Sequence, residues 1–208
     1  MYWQDEGYLL FKNNFDENSI IMEAFTLGHG KCSGIVYGGN SRNNKKIFQV
    51  GNKITINFKS KSENRIGYFT SELIKPVSPM HFDDKKKSIC ILSATSLLKI
   101  LLPENQLNKK IYISFENFIN SLNSDSWIII YIFWELSLVK ELGFEVNLDK
   151  IKNFKIPSIL KNKNKLKFSN LEIIEALNFN KFLLQENFIL PNKLRFPLSR
   201  NILEKYFN

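Results

Sequence analysis

Apolar and polar residues alternate with period two through roughly the first third of the chain and change to a helical spacing after Phe82. The clearest stretch is KITINFKSK, where Ile54, Ile56 and Phe58 alternate with Lys53, Thr55, Asn57, Lys59 and Lys61. Successive side chains on a strand point to opposite faces, so this pattern predicts one apolar and one cationic face. Tyr8–Lys12, Ser19–Leu27, Lys31–Gly39 and Ile66–Ile74 read as further strands, the last closed by Pro76. NNFDEN, Gly28-His29-Gly30, NSRNNKK and Glu63-Asn64-Arg65 supply the turns and loops between them. Five short strands with glycine-rich turns predict a small closed antiparallel barrel of the OB type. Gly38-Gly39 marks a strand end or a bulge, where backbone bends or approaches closely.

Beyond VSPMHF, which reads as a linker, the segment from Lys86 to Leu102 has the length and apolar density of a buried helix, stopped by Pro103. Ile111–Leu122 predicts a second helix. A third, capped by Asp125 or Ser126, runs to Leu142 and ends at Gly143 in the left-handed conformation favoured just past a helix end. It is apolar nearly all round, which makes it the expected core of a helical domain, with Trp134 and Leu138 buried. Residues 149–168 read as a short lysine-rich connection broken by Pro157. SNLEIIEAL, NFNKFLLQENF and PLSRNILEKYF return to helical spacing. The fold class is therefore α+β: a five-stranded barrel in residues 1–78 and a helical domain in residues 79–208.

Charge sharpens this picture. The net charge of +9 is unevenly placed: Lys plus Arg against Asp plus Glu is 10 to 7 in residues 1–75, 7 to 8 in 76–148 and 12 to 5 in 149–208. Within the barrel, Lys31, Arg42, Lys45, Lys46, Lys53, Lys59, Lys61 and Arg65 face a single acid, Glu63, over the same stretch. A cationic sheet face suits a polyanion, because each phosphate neutralised releases condensed counterions. Such asymmetry favours nucleic acid as a partner over a uniformly solubilising charge.

Other chemistries find little support. Cys32 and Cys90 are the only cysteines, too few for a disulfide framework or a Cys-quartet zinc site. Gly28-His29-Gly30-Lys31 has the look of a phosphate-binding loop, but Phe25 and Cys32 stand where that loop needs a glycine and a hydroxyl. His29 and His81 have no carboxylate or cysteine at metal-ligand spacing and read as a turn and a linker histidine. Asp5-Glu6 and Asp83-Asp84 could hold a nuclease metal; the second pair, beside Lys85-Lys86-Lys87, reads as a helix N-terminal charge pattern. Nothing assembles a nucleophile, a base and an oxyanion donor, so no catalysis, metal or cofactor is expected. The acidic N-terminus is unlike a signal peptide, and the longest apolar run, WIIIYIFW, is too short to span a bilayer. A cytoplasmic, nucleoid-associated protein without membrane contact is expected.

The arrangement of motifs resembles a known family. DEGYLL, FTLGHGKCSGIVYGGNSR, the strand ending Gly67-Tyr68-Phe69-Thr70, WELSLVKELGFEVNLD and the closing EALNFNKFLLQENFILPNKLRFPLSRNILEKYF are similar to the bacterial recombination mediator RecO family. The resemblance covers nearly the whole chain. It implies an OB barrel, a helical C-terminal domain and no enzymatic turnover. It also implies binding of single- and double-stranded DNA, annealing of complementary strands, and work with RecR to load RecA onto DNA coated by single-stranded-DNA-binding protein.

Two departures matter. Some family members carry a Cys-quartet zinc site in a longer insertion after the LGF helix; residues 149–168 are short and contain no cysteine. Members also place Arg before the aromatic-Glu pair of the helix that docks the acidic tail of the single-stranded-DNA-binding protein, and here that position is Phe133. Lys99, Trp134, Leu138 and Lys140 are the expected partner-binding residues, with the tail between the Trp134 helix and Lys86–Leu102. In the barrel, basic strands would hold phosphates while Tyr37, Phe48 or Tyr68 stack on bases. The alternative is an RNA-binding OB protein of translation or ribosome assembly, which would share barrel and charge but not the helical half.

Overall fold

The structure, a computed structural model, describes residues 1–61, 66–144, 156–161 and 167–208. Arg65 and most of the lysine-rich connection lie outside the described residues. The described residues include six strands, β1 (Tyr2–Asn14), β2 (Ile20–Thr26), β3 (Gly30–Val36), β4 (Lys53–Lys59), β5 (Gly67–Thr70) and β6 (Leu73–Lys75), of which β1 to β5 close the barrel and β6 adds to β4. The sheet runs β1-β2-β3-β5-β4, and β4 pairs back onto β1 from Tyr2↔Lys59 to Tyr8↔Lys53, which closes it. The β3–β5 pairing is parallel and the others are antiparallel. This is the closed five-stranded OB-type topology that the alternation predicts.

Two strands differ from expectation. β1 begins at Tyr2 rather than Tyr8; Tyr2, Gln4 and Glu6 are exposed while Trp3 and Asp5 are half-buried, so the period-two pattern is present but masked by the acids. The single strand expected over Ile66–Ile74 is split at Ser71-Glu72. There the Glu72 N–H donates to Thr55 Oγ1 and the Thr55 N–H to the Glu72 carbonyl, both at 2.9 Å. The split lets β5 and β6 pair with different parts of β4.

Leu9, Ile20, Met22, Ala24, Ile54, Ile56 and Phe69 fill the barrel. Each large apolar side chain fully buried contributes roughly 2 kcal/mol. Phe48, expected as an exposed stacking residue, belongs to this core at 2% exposure. The Asn52 amide donates to the carbonyls of Lys46 and Ile47, fixing the turn that swings Phe48 inward.

The chain divides into two compact units, Met1–Tyr112 and Ile113–Asn208. The first contains the barrel, the short α1 (Val77–Met80) and α2 (Lys85–Leu101), which packs on β1. Asp84 caps α2, accepting from the amides of Lys86 and Lys87, as the charge pattern implied. Tyr112, on α3 (Lys109–Asn120), lies against Tyr8 and Phe25 with ring centroids 5.8 and 5.5 Å away.

The second unit is helical: α4 (Trp127–Glu141), α5 (Ser158–Lys161), α6 (Asn170–Leu184) and α7 (Leu198–Lys205). Gly143 has a φ of +96°, which ends α4 as the sequence suggests. SNLEIIEAL and NFNKFLLQENF, which read as separate helical segments, form one helix capped by Ser169 and Glu172, with a π turn over Gln185–Ile189. Asn180 survives mid-helix because it is buried and donates to the Ile132 carbonyl (2.8 Å) and to Glu135 (3.2 Å). Glu135 also accepts from Tyr131 Oη (2.6 Å) and Arg200 Nη2 (3.1 Å). Burial opposes the charge on Arg200, but the Glu135 carboxylate more than offsets it and holds the guanidinium above its ordinary pKa. Among the described residues no helix is long and apolar enough to cross a membrane.

Candidate nucleic-acid interface

Register places an aromatic and cationic row across the barrel. Tyr2 stands opposite Lys59, and Lys59 opposite Tyr68. All three are exposed. Tyr37, one residue beyond β3 and 62% exposed, stacks on Tyr68 with centroids 5.1 Å apart and planes 22° from parallel. The Lys59 ammonium lies 5.8 Å from the Tyr2 ring. The next row, Gln4, Asn57 and Thr70, is polar. Three tyrosines around a lysine, turned outward, offer faces on which bases can stack beside a phosphate-binding charge.

Lys45 and Lys46 are exposed on a single 3-10 turn, Arg42 is exposed in the same loop, and Lys61 is exposed just past β4. The fold brings Lys12 of β1 to this loop. Burial first, and then the nearby charge of Lys45, lower the Lys12 pKa. Sequence reasoning missed Lys12 because it lies outside the basic stretch and only barrel closure delivers it.

Lys31 and Lys53 are not the solvated cations expected. Lys31 is 9% exposed and its ammonium donates to the Lys99 carbonyl at 2.8 Å. Lys53 pairs with Glu6 at 2.9 Å and lies over the Tyr8 ring.

At the barrel mouth, Trp3 is stacked by His29 (4.0 Å, 11°) and by Phe58 (4.8 Å, 21°). His29 Nδ1 is 3.0 Å from Asp5 Oδ2, which also accepts from the Gly28 amide at 2.8 Å. Burial raises the Asp5 pKa, but the bonds from His29 and from the Glu6 and Gly28 amides outweigh it, leaving the carboxyl below its ordinary value. Burial, then the charges of Asp5 and Glu104, push the Cys32 thiol up to about 12, so it is an inert neutral group. Asp5 and Glu6 thus face opposite ways and do not form a metal pair. Among the described residues no three His, Cys, Asp or Glu side chains gather to hold a metal.

Of the expected partner-binding residues, Trp134 and Leu138 are core at 3% and 0% exposure and present no surface. Trp134 stacks on Phe118 with centroids 5.4 Å apart. Lys99 is half-buried, 3.5 Å from Glu23 and 3.2 Å above the Phe11 ring. Lys140 is exposed at the end of α4.

A barrel closed in the order 1-2-3-5-4-1 and followed by helices defines an OB-type protein with an appended helical region. Residues 1–77 match the family described as Recombination protein O N terminal, and residues 83–151 the one described as Recombination protein O C terminal. The chain belongs to the RecO family. It is similar to proteins named DNA repair protein RecO from Wolbachia pipientis subsp. Culex pipiens (36% identical over 154 residues), Ehrlichia chaffeensis (32% over 152) and Roseobacter denitrificans (29% over 150). Each match takes in 72% of this chain and 62% of the relative's length.

Proposed function

We propose that this protein acts in DNA repair and recombination by binding DNA, annealing complementary single strands and, with RecR, helping to load RecA onto DNA coated by single-stranded-DNA-binding protein. The observation that carries the DNA-binding part is the exposed row of Tyr2, Lys59, Tyr68 and Tyr37 on an OB-type barrel. The family and the names of the relatives support the repair context. In this reading residues 1–78 take the DNA and residues 79–208 the protein partners.

The mechanism is electrostatic and non-catalytic. Lys12, Arg42, Lys45, Lys46, Lys59 and Lys61 lower the repulsion between two strands held on one surface, and the tyrosines hold bases unstacked and ready to pair. An acidic tail of a protein partner would need a cation whose charge is available on docking, since an unpaired carboxylate is costly to bury. Lys140 has that exposure, whereas Lys99 is engaged by Glu23 and Phe11.

A strand-annealing assay with and without single-stranded-DNA-binding protein tests the proposal, run beside RNA binding and metal-dependent cleavage. Annealing of both naked and coated strands is expected. Tight RNA binding with no annealing would instead favour a translation or ribosome-assembly role, and cleavage would make the protein a nuclease.

A further inference from the structure

The barrel mouth opens into a cavity of about 740 Å³ lined by Trp3, His29, Ser33, Phe58, Glu104 and Leu107, among others. Its wall is aromatic and held in place. The Trp3 ring carries His29 and Phe58 stacked on it, and a Cβ at Gly67 would overlap the Phe58 ring, so only glycine lets Phe58 sit there. Asp5 fixes the imidazole through Nδ1, and the His29 side chain is still 35% exposed. The wall therefore presents a planar ring face without having to reorganise.

The polar side chains around it suit an amine donor. The Met1 ammonium at its edge is engaged by the Ser60 carbonyl at 2.8 Å. Glu104 lines the cavity, accepting from Ser33 Oγ through Oε1 at 2.8 Å. A carboxylate can accept from the exocyclic amine of a base such as cytosine, as it does in groove readout, and repels a phosphate. Trp3 and Phe58 are next to Tyr2 and Lys59 on the same strands and so point to the opposite, inward face. A base from a strand whose phosphates rest on Lys59 and Lys61 therefore reaches the cavity by turning over the rim at Met1, which lines the cavity and donates to the Ser60 carbonyl.

We propose that this cavity receives one nucleobase bearing an exocyclic amine, taken from a single strand lying along the Lys59 row. The base stacks on the His29–Trp3 wall and donates to Glu104. The inference rests on the DNA-binding reading above and adds a base-selective site to it.

The test uses the full chain and fluorescence anisotropy with a short oligonucleotide of abasic sugar-phosphates carrying one central cytosine, adenine, thymine or no base. Cytosine and adenine should bind about fivefold or more tighter than the fully abasic strand, the lower end of what stacking contributes, and tighter than thymine. His29→Ala should abolish the gain over the abasic strand, whereas His29→Phe, which keeps a ring, should retain it. Glu104→Gln, able to donate as well as accept, should erase the preference over thymine. Circular dichroism of each variant checks the fold. Indifference of the wild type to the central base, or a base preference that survives His29→Ala, would overturn the cavity site while leaving DNA binding intact. Loss of salt-dependent binding to every strand, the abasic one included, would overturn the DNA-binding reading itself.

Discussion

Replacing Lys45, Lys46, Lys59 and Lys61 together by Gln removes four exposed charges and leaves shorter polar side chains in their place. If each meets a phosphate of single-stranded DNA, the slope of log affinity against log salt should flatten by about 0.7 per contact, or about 2.8 in all. Between 50 and 200 mM salt the loss of affinity would then be roughly fiftyfold smaller than for the wild type. All sequences should be affected alike, because phosphate contacts carry no base information. Stability should change by no more than about 0.5 kcal/mol per substitution, since the four side chains are exposed. Lys31→Gln is the internal control. Its ammonium is buried against the Lys99 carbonyl, so it should lower stability and change the salt slope little. Anisotropy titrations at four or five salt concentrations read the slope directly. An unchanged slope in the quadruple variant would refute the barrel site and point to the basic C-terminal third.

The helical unit makes a stability prediction: Arg200→Leu leaves Glu135 buried without its counter-charge and should cost about 3–5 kcal/mol, read by urea denaturation. The double variant Glu135→Leu with Arg200→Met should recover much of that loss, because both charges go together. Asp5 adds a pH dependence at the acid end. Its folded pKa is depressed, so the unfolded state binds more protons, and the stability from Asp5 is present above its ordinary value of 3.8 and lost as pH falls through the folded one. Asp5→Asn should remove that part of the acid destabilisation in urea midpoints taken between pH ~5 and ~2.5. Lys140→Glu should weaken loading onto protein-coated DNA and leave binding to naked DNA unchanged; a parallel fall in both activities would rule out a separate tail site on α4.

The barrel was legible because KITINFK alternates without interruption and the turns between strands are rich in Gly and Asn. The start of β1 was not legible, because Asp5 sits on an inward position where an apolar residue is expected. It is tolerated there by His29 and the Gly28 amide, partners 24 and 23 residues away. Asn180 hid the continuity of α6 in the same manner, since its Glu135 partner lies 45 residues earlier. The candidate site divides along the same line. Exposure of Lys59, Lys61, Lys45 and Lys46 follows from local pattern, whereas burial of Lys31 and Phe48 depends on what the fold lays over them. Tyr2 and Lys12 join the surface only once β1 closes against β4 and meets the Lys45 loop.

The Glu135–Arg200 pair also sets a timetable for synthesis. The two residues are 65 positions apart. At about 5–20 residues per second, a nascent chain holds Glu135 for roughly 3–13 seconds before its guanidinium exists, and longer before that residue leaves the ribosome. Through that interval the helical unit cannot bury Glu135 in its final dry setting, whereas every strand of the barrel is already made. The barrel can thus be complete while the helices are still provisional. A message cut short before codon 200 would yield a closed barrel on an unfinished helical unit, a species that proteases can recognise and remove.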